Sequence, residues 1–350
     1  MLHMQALLRL RIWALTCTVV VVAAAIPDAG TLSALAQSGR KPPPKVAPIR
    51  PGEDPDADVR LGTQEVLLNV TVRDANGRPV KGLTQQDFII AEDRVKQELA
   101  SCREAMLPVN VVLVLDASGS VFSERVSIRK AAGAFAKELG PEDRVSVIQF
   151  ADKVELLQDW TTDREPIQHA LDWRYRGGEA TAFWDALFLA AEDQLSKVEG
   201  RRAIILLSDG VDTASKISEE LVRAALDRCG ASLYVVSKAQ AVIERIKPYA
   251  GKTGVMTGTA KPARAAIGEL LAAEERMKRL ADRYGGRLFA PVSDAELDLA
   301  YKDVALELKQ QYVLTYVSAN ETRDGRWRSI EIFPTRPGMT VRTRKGYSAQ

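Results

Sequence analysis

One stretch constrains the fold of this chain more than any other, residues 109–116 with the sequence Val-Asn-Val-Val-Leu-Val-Leu-Asp. The run has the length of a strand, and it lacks the alternation of apolar and polar residues that marks a half-solvated strand. It therefore predicts a strand buried on both faces, as in the middle of a parallel sheet covered by helices.

Three polar residues, Asp116, Ser118 and Ser120, follow this run at alternate positions. Open α/β folds bind ligands at the carboxyl ends of their strands, so one carboxylate and two hydroxyls are expected to face one crevice. These hard oxygen donors suit Mg²⁺, Mn²⁺ or Ca²⁺ and suit zinc or copper poorly. An alternative interpretation is that the three residues only cap the next helix.

Two later segments favour a binding site over a helix cap. Residues 177–187 form a Gly-Gly loop that leads into a helical pattern, with Thr181 at its mouth. Residues 203–210 form another apolar strand, which delivers Asp209 at its end. Three separate segments are thus expected to bring oxygen donors to one sheet edge.

The surrounding segment, 109–311, alternates predicted strands and helices. Strands are predicted at 145–150, 203–208, 231–237 and 287–289, with helices after Asp116, after Thr181, over 217–229, over 266–284 and from Ser293. Residues 239–265 show no clear period and are interpreted as an irregular insertion. The alternation predicts an α/β fold with a doubly wound, mostly parallel sheet.

Two β segments flank this domain, residues 59–108 and 312–350. Both alternate apolar and polar residues, and each is too small to form a stable core alone. They are expected to pair with each other in a small β-sandwich, with the α/β domain inserted between them.

The first 36 residues resemble a secretory signal peptide, with Arg9 and Arg11 before an apolar core and Ala34-Leu35-Ala36 as the cleavage site. Residues 37–58 are a proline-rich linker. We expect an exported periplasmic or extracellular protein that meets the membrane only if the signal is uncleaved. Cys102 and Cys229 are expected to be unpaired, buried thiols.

Together, the Asp116 triplet, the Thr181 loop and Asp209 resemble the metal-ion-dependent adhesion site of von Willebrand factor type A domains, the fold shared with integrin I domains. The resemblance implies that Ser118 and Ser120 bind a metal directly. It implies that Thr181 binds directly or through water, and that Asp116 and Asp209 bind directly or accept hydrogen bonds from the bound groups. It departs from the family pattern at 178–181, where two residues separate the glycine pair from the threonine that usually follows at once.

The whole arrangement is also similar to an exported bacterial family of type A domain proteins described from acidobacteria. The shared features are residues 74–84 leading into Asp87-Phe88, the metal-site triplet, the segment 311–316 and the terminal Arg344-Lys345-Gly346-Tyr347. This resemblance covers most of residues 60–348.

The resemblance implies an adhesion module that is not an enzyme. A divalent cation, with Mg²⁺ expected and Mn²⁺ or Ca²⁺ as alternatives, would bind an Asp or Glu of a partner protein. A structural subunit of an envelope assembly, whose metal only stabilises the fold, is one alternative, and a metal-assisted hydrolase is the other. Partner identity and oligomeric state stay open.

Composition and motifs weigh against other functions. Without residues 1–36 the chain has 46 basic and 45 acidic residues, which gives no electrostatic case for nucleic acid as a partner. His169 is then the only histidine, so triad hydrolysis and zinc proteolysis lack their residues. The glycine-rich motifs of dinucleotide-binding and P-loop proteins are also absent from the sequence.

Overall fold

The computed structural model describes residues 65–104, 107–251 and 260–349. The predicted signal peptide and proline-rich linker lie outside these residues. None of the helices in the described ranges is both long and apolar enough to cross a membrane.

The central sheet contains the predicted buried strand. Its six strands are β5 (Val109–Asp116), β6 (Arg144–Phe150), β7 (Val154–Thr161), β8 (Arg201–Ser208), β9 (Ser232–Ser237) and β10 (Leu288–Phe289). They are ordered β10-β9-β8-β5-β6-β7, and every residue of β5 is buried. All neighbouring pairs are parallel except β6 and β7, which are antiparallel. The sequence analysis does not predict β7, an edge strand whose residues are mostly half-buried or exposed.

Helices cover both faces of this sheet. They are α1 (Arg125–Glu138), α2 (Arg164–Trp173), α3 (Phe183–Phe188), α4 (Glu219–Cys229), α5 (Ala239–Ala250), α6 (Ala260–Arg283) and α7 (Asp294–Lys309), and a π-helical segment, Leu189–Leu195, continues α3. Leu113 and Leu115 share a core with α1, α2 and α7. Val112 and Val114 share the opposite core with α3, α4 and α6. Alternate residues of one apolar strand thus fill two cores, as the missing polar alternation predicts.

The predicted irregular insertion at 239–265 is wrong for the part that the structure describes. Residues 239–250 form α5, and α6 begins at Ala260, six residues before the predicted helix. Helix α5 buries Ala239, Val242 and Ile243, which are three and four positions apart. This short helical stripe is hard to recognise because Pro248 and the nearby glycines and lysines interrupt the pattern.

The flanking segments form two antiparallel sheets. Their strands are β1 (Glu65–Arg73), β2 (Phe88–Glu92), β3 (Val95–Gln97), β4 (Leu99–Glu104), β11 (Tyr312–Val317), β12 (Trp327–Pro334), β13 (Thr340–Arg342) and β14 (Gly346–Ser348). One sheet has the order β13-β1-β11-β4 and the other β14-β12-β2-β3, so each combines strands from before and after the α/β segment. A common core, which includes Leu68, Ile90, Tyr316 and Ile330, joins the two sheets. The predicted fold class is confirmed.

Both cysteines of the described chain are free thiols. Cys229 is buried as predicted, whereas Cys102 is only half-buried. Burial raises the pKa of each thiol to about 11. Because the thiolate is the reactive form, the raised pKa disfavours nucleophilic chemistry by either cysteine at neutral pH.

Candidate metal centre

The site is built on the register between β5 and β8. Leu115 pairs with Leu207 in the parallel ladder, so Asp116 and Ser208 leave the sheet at the same level. The Ser208 hydroxyl donates to Asp116 Oδ2 at 2.7 Å, and the Ser118 N–H donates to Asp116 Oδ1 at 2.9 Å. Asp116 is completely buried, and both of its carboxylate oxygens are fixed by these bonds.

The two serines connect Asp116 with the second predicted aspartate. Ser118 Oγ and Ser120 Oγ are 3.0 Å apart and hydrogen bonded. The Ser120 hydroxyl lies close enough to the Asp209 carboxylate to lower its pKa, and that carboxylate accepts from the Val211 N–H at 3.1 Å. Asp116, Ser118, Ser120 and Asp209 therefore form one polar group at the carboxyl edge of the sheet.

This group carries two carboxylates in a buried place. Burial and the nearby charge of Asp209 raise the pKa of Asp116 to about 7. Burial also raises the pKa of Asp209, although the bonds from Ser120 and Val211 oppose that change. Throughout residues 65–104, 107–251 and 260–349, no lysine or arginine forms a salt bridge with either carboxylate. The charge of Arg245 lowers the pKa of Asp209, but it does so less than burial raises it. Two buried acids without a salt bridge are an unfavourable arrangement that a bound cation would relieve.

Thr181 lies in the adjoining loop, and its backbone is held on both sides. Its N–H donates to Thr213 Oγ1 at 2.9 Å, and its carbonyl accepts from the Thr213 and Ala214 N–H groups. Gly178 N–H donates to the Ala117 carbonyl at 3.0 Å, which fastens the loop to the serine turn. The Thr181 hydroxyl forms no hydrogen bond with the other four predicted ligands in the described chain. The structure thus fastens the Thr181 loop to the turn that carries the two serines.

Asp152 accommodates the two residues that separate the glycine pair from Thr181. Its carboxylate accepts the N–H groups of Glu179 at 3.0 Å and Ala180 at 3.1 Å, and these bonds lower the pKa of Asp152. A Cβ atom on Gly178 would lie 2.0 Å from Asp152 Oδ2, so a side chain there would displace the carboxylate. Glycine at 178 and aspartate at 152 together shape the loop.

Asp152→Ala is expected to weaken divalent-cation binding about tenfold, the lower end of the effects seen for groups that orient metal ligands. The change leaves the Glu179 and Ala180 amides without their acceptor, so the loop no longer holds Thr181 in one position. Calorimetric titration of Mg²⁺ measures the effect. Asp298→Ala, at an exposed aspartate on α7, is the matched control and should bind as the wild type does. Equal affinities in the two variants would contradict this role of Asp152.

Two aspartates near the site have structural roles. Asp212 accepts from the Phe183 N–H at 3.0 Å and so caps α3. Asp185 accepts from the N–H groups of Lys216 and Ile217, both at 2.9 Å. Together these carboxylates fasten the loop after Asp209 to the helix that follows Thr181.

The structure adds three site residues that the sequence analysis missed. Ser208 precedes Asp209, and its position opposite Asp116 could have been found from the strand alignment. Tyr175 donates its hydroxyl to the Asp116 carbonyl, with no signal in the sequence. Arg245 of α5 donates to the Ser120 carbonyl at 2.7 Å and pairs with Glu124 at 2.8 Å, so it attaches the serine turn to α5. It was missed because its helix was interpreted as irregular.

The donor set fits a hard divalent cation. In the described ranges no group of three or more His, Cys, Asp or Glu side chains is placed to hold a metal ion. The group at the sheet edge instead has two carboxylates and adjacent hydroxyls, which are oxygen ligands of the type that Mg²⁺ or Ca²⁺ accepts. Asp116, Ser118, Ser120 and Asp209 would hold such an ion, with Thr181 beside them.

A family model agrees with this architecture, because the model of the von Willebrand factor type A domain matches residues 110–268. Residues 110–268 form a von Willebrand factor type A domain. The matched part of this type A domain contains all five predicted ligands. It also contains α5 and ends within α6.

Three similar solved structures give further comparisons. They are BatB from Bacteroides thetaiotaomicron (23% identity, TM-score 0.33), the vWF domain of the pilus tip protein Mfa5 from Porphyromonas gingivalis (21%, 0.30) and the PilB minor pilin from Streptococcus sanguinis (12%, 0.41). The matches cover 37%, 33% and 58% of this chain. They cover 66%, 43% and 62% of the other chains, so this chain spans less than two thirds of each. No curated protein matches the chain.

Proposed function

We propose that this chain is an exported adhesion module that holds a divalent cation at the edge of its type A domain. The cation, Mg²⁺ in the first place, binds an Asp or Glu side chain of a partner protein. The observation that carries the proposal is the pair of buried carboxylates, Asp116 and Asp209, which lie beside two serine hydroxyls and form no salt bridge with a lysine or arginine of the described residues.

The chain's own residues define what the site can do. Asp116 is fixed by Ser118 and Ser208, and the serine turn is fixed by Arg245, so the donors are ordered before an ion arrives. A divalent cation there would act as an electrophile. Asp116, Ser118, Ser120 and Asp209 would leave part of its coordination shell open, so it would favour a further oxygen ligand such as a carboxylate. Hydrolysis would also require a general base, and none of the neighbouring side chains has that role by its contacts. Binding is therefore the proposed activity.

Calorimetric titration of Mg²⁺, Mn²⁺ and Ca²⁺ into the purified chain is the first test. Saturable binding is expected in the wild type. Replacing both hydroxyls, Ser118→Ala with Ser120→Ala, is expected to weaken it strongly. The control Ser196→Ala, at an exposed serine whose hydroxyl donates to the Glu192 carbonyl, should keep it. An unmeasurable affinity for all three ions in the wild type would overturn the metal site.

Partner recognition is tested with an array of immobilised peptides that each contain one Glu, beside a matched array with Gln. Binding to Glu peptides in Mg²⁺, lost with chelator and absent on Gln peptides, is the expected result. If the ion binds and stabilises the fold but peptide binding ignores chelator, the metal has a structural role and the adhesion proposal fails.

A further inference from the structure

A cavity whose walls include none of the predicted metal ligands lies between the sandwich and the carboxyl half of α6. It has a volume of about 280 Å³, and its walls are Thr71 and Arg73 of β1, Thr340, Val341 and Arg342 of β13, Asp282 and Lys345. Three of these seven residues are cationic. A cavity with this lining favours an anionic occupant.

The charges next to the cavity do not balance. Glu307 of α7 is 1% exposed, and three arginines share its carboxylate: Arg73 at 2.5 Å, Arg287 at 2.7 Å and Arg342 at 3.6 Å. The acid in the cavity wall, Asp282, is already paired with Lys278 at 2.8 Å. Arg287 also pairs with Asp303 at 3.2 Å. Two carboxylates, Glu307 and Asp303, thus face three guanidinium groups, and Lys345 adds a fourth positive charge.

Several donors of these cations have no acceptor. Arg73 uses its two terminal nitrogens for Gly77 and Glu307, but its buried Nε has no hydrogen-bond partner in the described chain. Arg342 Nη1 is likewise buried without a hydrogen bond, and its ion pair with Glu307 is long. Lys345 is exposed and forms no salt bridge with a residue that the structure describes. Glu307 Oε2, the carboxylate oxygen nearest to Arg342 Nη1, is also buried without a hydrogen bond in the described chain. Buried donors of charged groups normally have acceptors, so Arg73 Nε and Arg342 Nη1 retain donor capacity that an anion in this cavity could use.

We propose that this cavity binds an oxyanion of the phosphate or sulfate class, held by Arg342 and Lys345 with Arg73 behind them. The oxygen atoms of such an ion match the parallel N–H donors of a guanidinium group, and its charge offsets the excess of arginine over Glu307. The anion would also join β1 and β13 to α6. Lys345 is already attached to the end of α6, because its backbone N–H donates to the Arg283 carbonyl.

Calorimetric titration of sodium phosphate into the purified chain, with sodium chloride at equal ionic strength as the reference, tests the proposal. We expect saturable binding with a dissociation constant on the order of 1 mM. Arg342→Gln and Lys345→Gln should each raise that constant about tenfold. Lys345 is exposed, so its variant keeps the test valid even if Arg342→Gln folds poorly.

Arg103→Gln is the control, because Arg103 is exposed on β4 and does not line the cavity. Its affinity for phosphate should equal that of the wild type. Sedimentation with phosphatidylglycerol vesicles then separates two sources of the phosphate group. If the wild type binds the vesicles and Lys345→Gln does not, the ligand is a lipid headgroup. If the wild type does not bind the vesicles, the ligand is a soluble ion. No saturable binding of phosphate, or equal affinity in all four proteins, would overturn the proposal.

Discussion

Asp116→Asn is expected to abolish divalent-cation binding and, in the presence of chelator at pH 8, to stabilise the protein. Asparagine preserves the local bonds, because its oxygen can accept from the Ser118 N–H and its amide can donate to the Ser208 hydroxyl. It removes the buried negative charge that faces Asp209. The same change therefore removes the attraction for a cation and the repulsion in its absence.

The pH dependence of the protein's stability follows from the same carboxyl group, that of Asp116. The pKa of Asp116 is about 7 in the folded protein and near its ordinary value of 3.8 in the unfolded chain. Between these values the folded protein holds more protons, so the free energy of unfolding falls as pH rises from 4 to 7 and the penalty is complete above pH 7. Three pKa units correspond to at most about 4 kcal/mol. Asp209, whose pKa is also raised, acts in the same direction.

Urea unfolding from pH 4 to pH 8 measures the effect. In chelator, the wild type should lose more stability across this range than Asp116→Asn does. Saturating Mg²⁺ should restore the wild type at pH 8, by about 2.7 kcal/mol at one hundred times the dissociation constant, and leave the variant unchanged. Asp159→Asn, on the exposed part of β7, is the control. A variant less stable than the wild type in chelator at pH 8 would contradict the proposed charge repulsion.

Glu307→Gln is expected to destabilise the protein by about 3 kcal/mol, at the lower end of the cost of breaking a buried ion pair. The change leaves Arg73 and Arg342 without a carboxylate partner among the described residues, and leaves Arg287 with Asp303 alone. Partial exposure of the three arginine side chains, 21%, 25% and 34%, keeps the effect from being larger.

The midpoint of urea unfolding measures this change, and Glu331→Gln is the control, because Glu331 is exposed on β12. High salt should reduce the difference, since it screens repulsion among the partly exposed arginines. A loss below about 1 kcal/mol would mean that Glu307 is a minor contributor. If the neighbouring cavity binds phosphate, phosphate should stabilise Glu307→Gln more than it stabilises the wild type, because the variant has one more uncompensated positive charge.

The sequence was informative where one residue pattern allowed only one solution. An eight-residue apolar strand such as 109–116 must be covered on both faces, and this requirement predicted the doubly wound sheet. Two small β segments that cannot form cores alone must pair, and this predicted the sheets of mixed origin. The chain positions of Asp116, Ser118, Ser120, Thr181 and Asp209 also placed them at one sheet edge. Their role as metal ligands, the Mg²⁺ and acidic partner, and the domain boundaries stay predictions.

Tertiary structure decided the features that depend on contacts distant in the chain. Asp152 supports the Thr181 loop across 27 and 28 residues, and Arg245 reaches the serine turn across 125 residues. Glu307 meets Arg73 across 234 residues. The positive charge beside the cavity arises because Arg287 and Arg342 converge on the same carboxylate. The sequence alone predicted which segments must be buried, because burial follows from local apolar patterns. It could not predict which polar side chains meet, because that depends on how separate elements pack against one another.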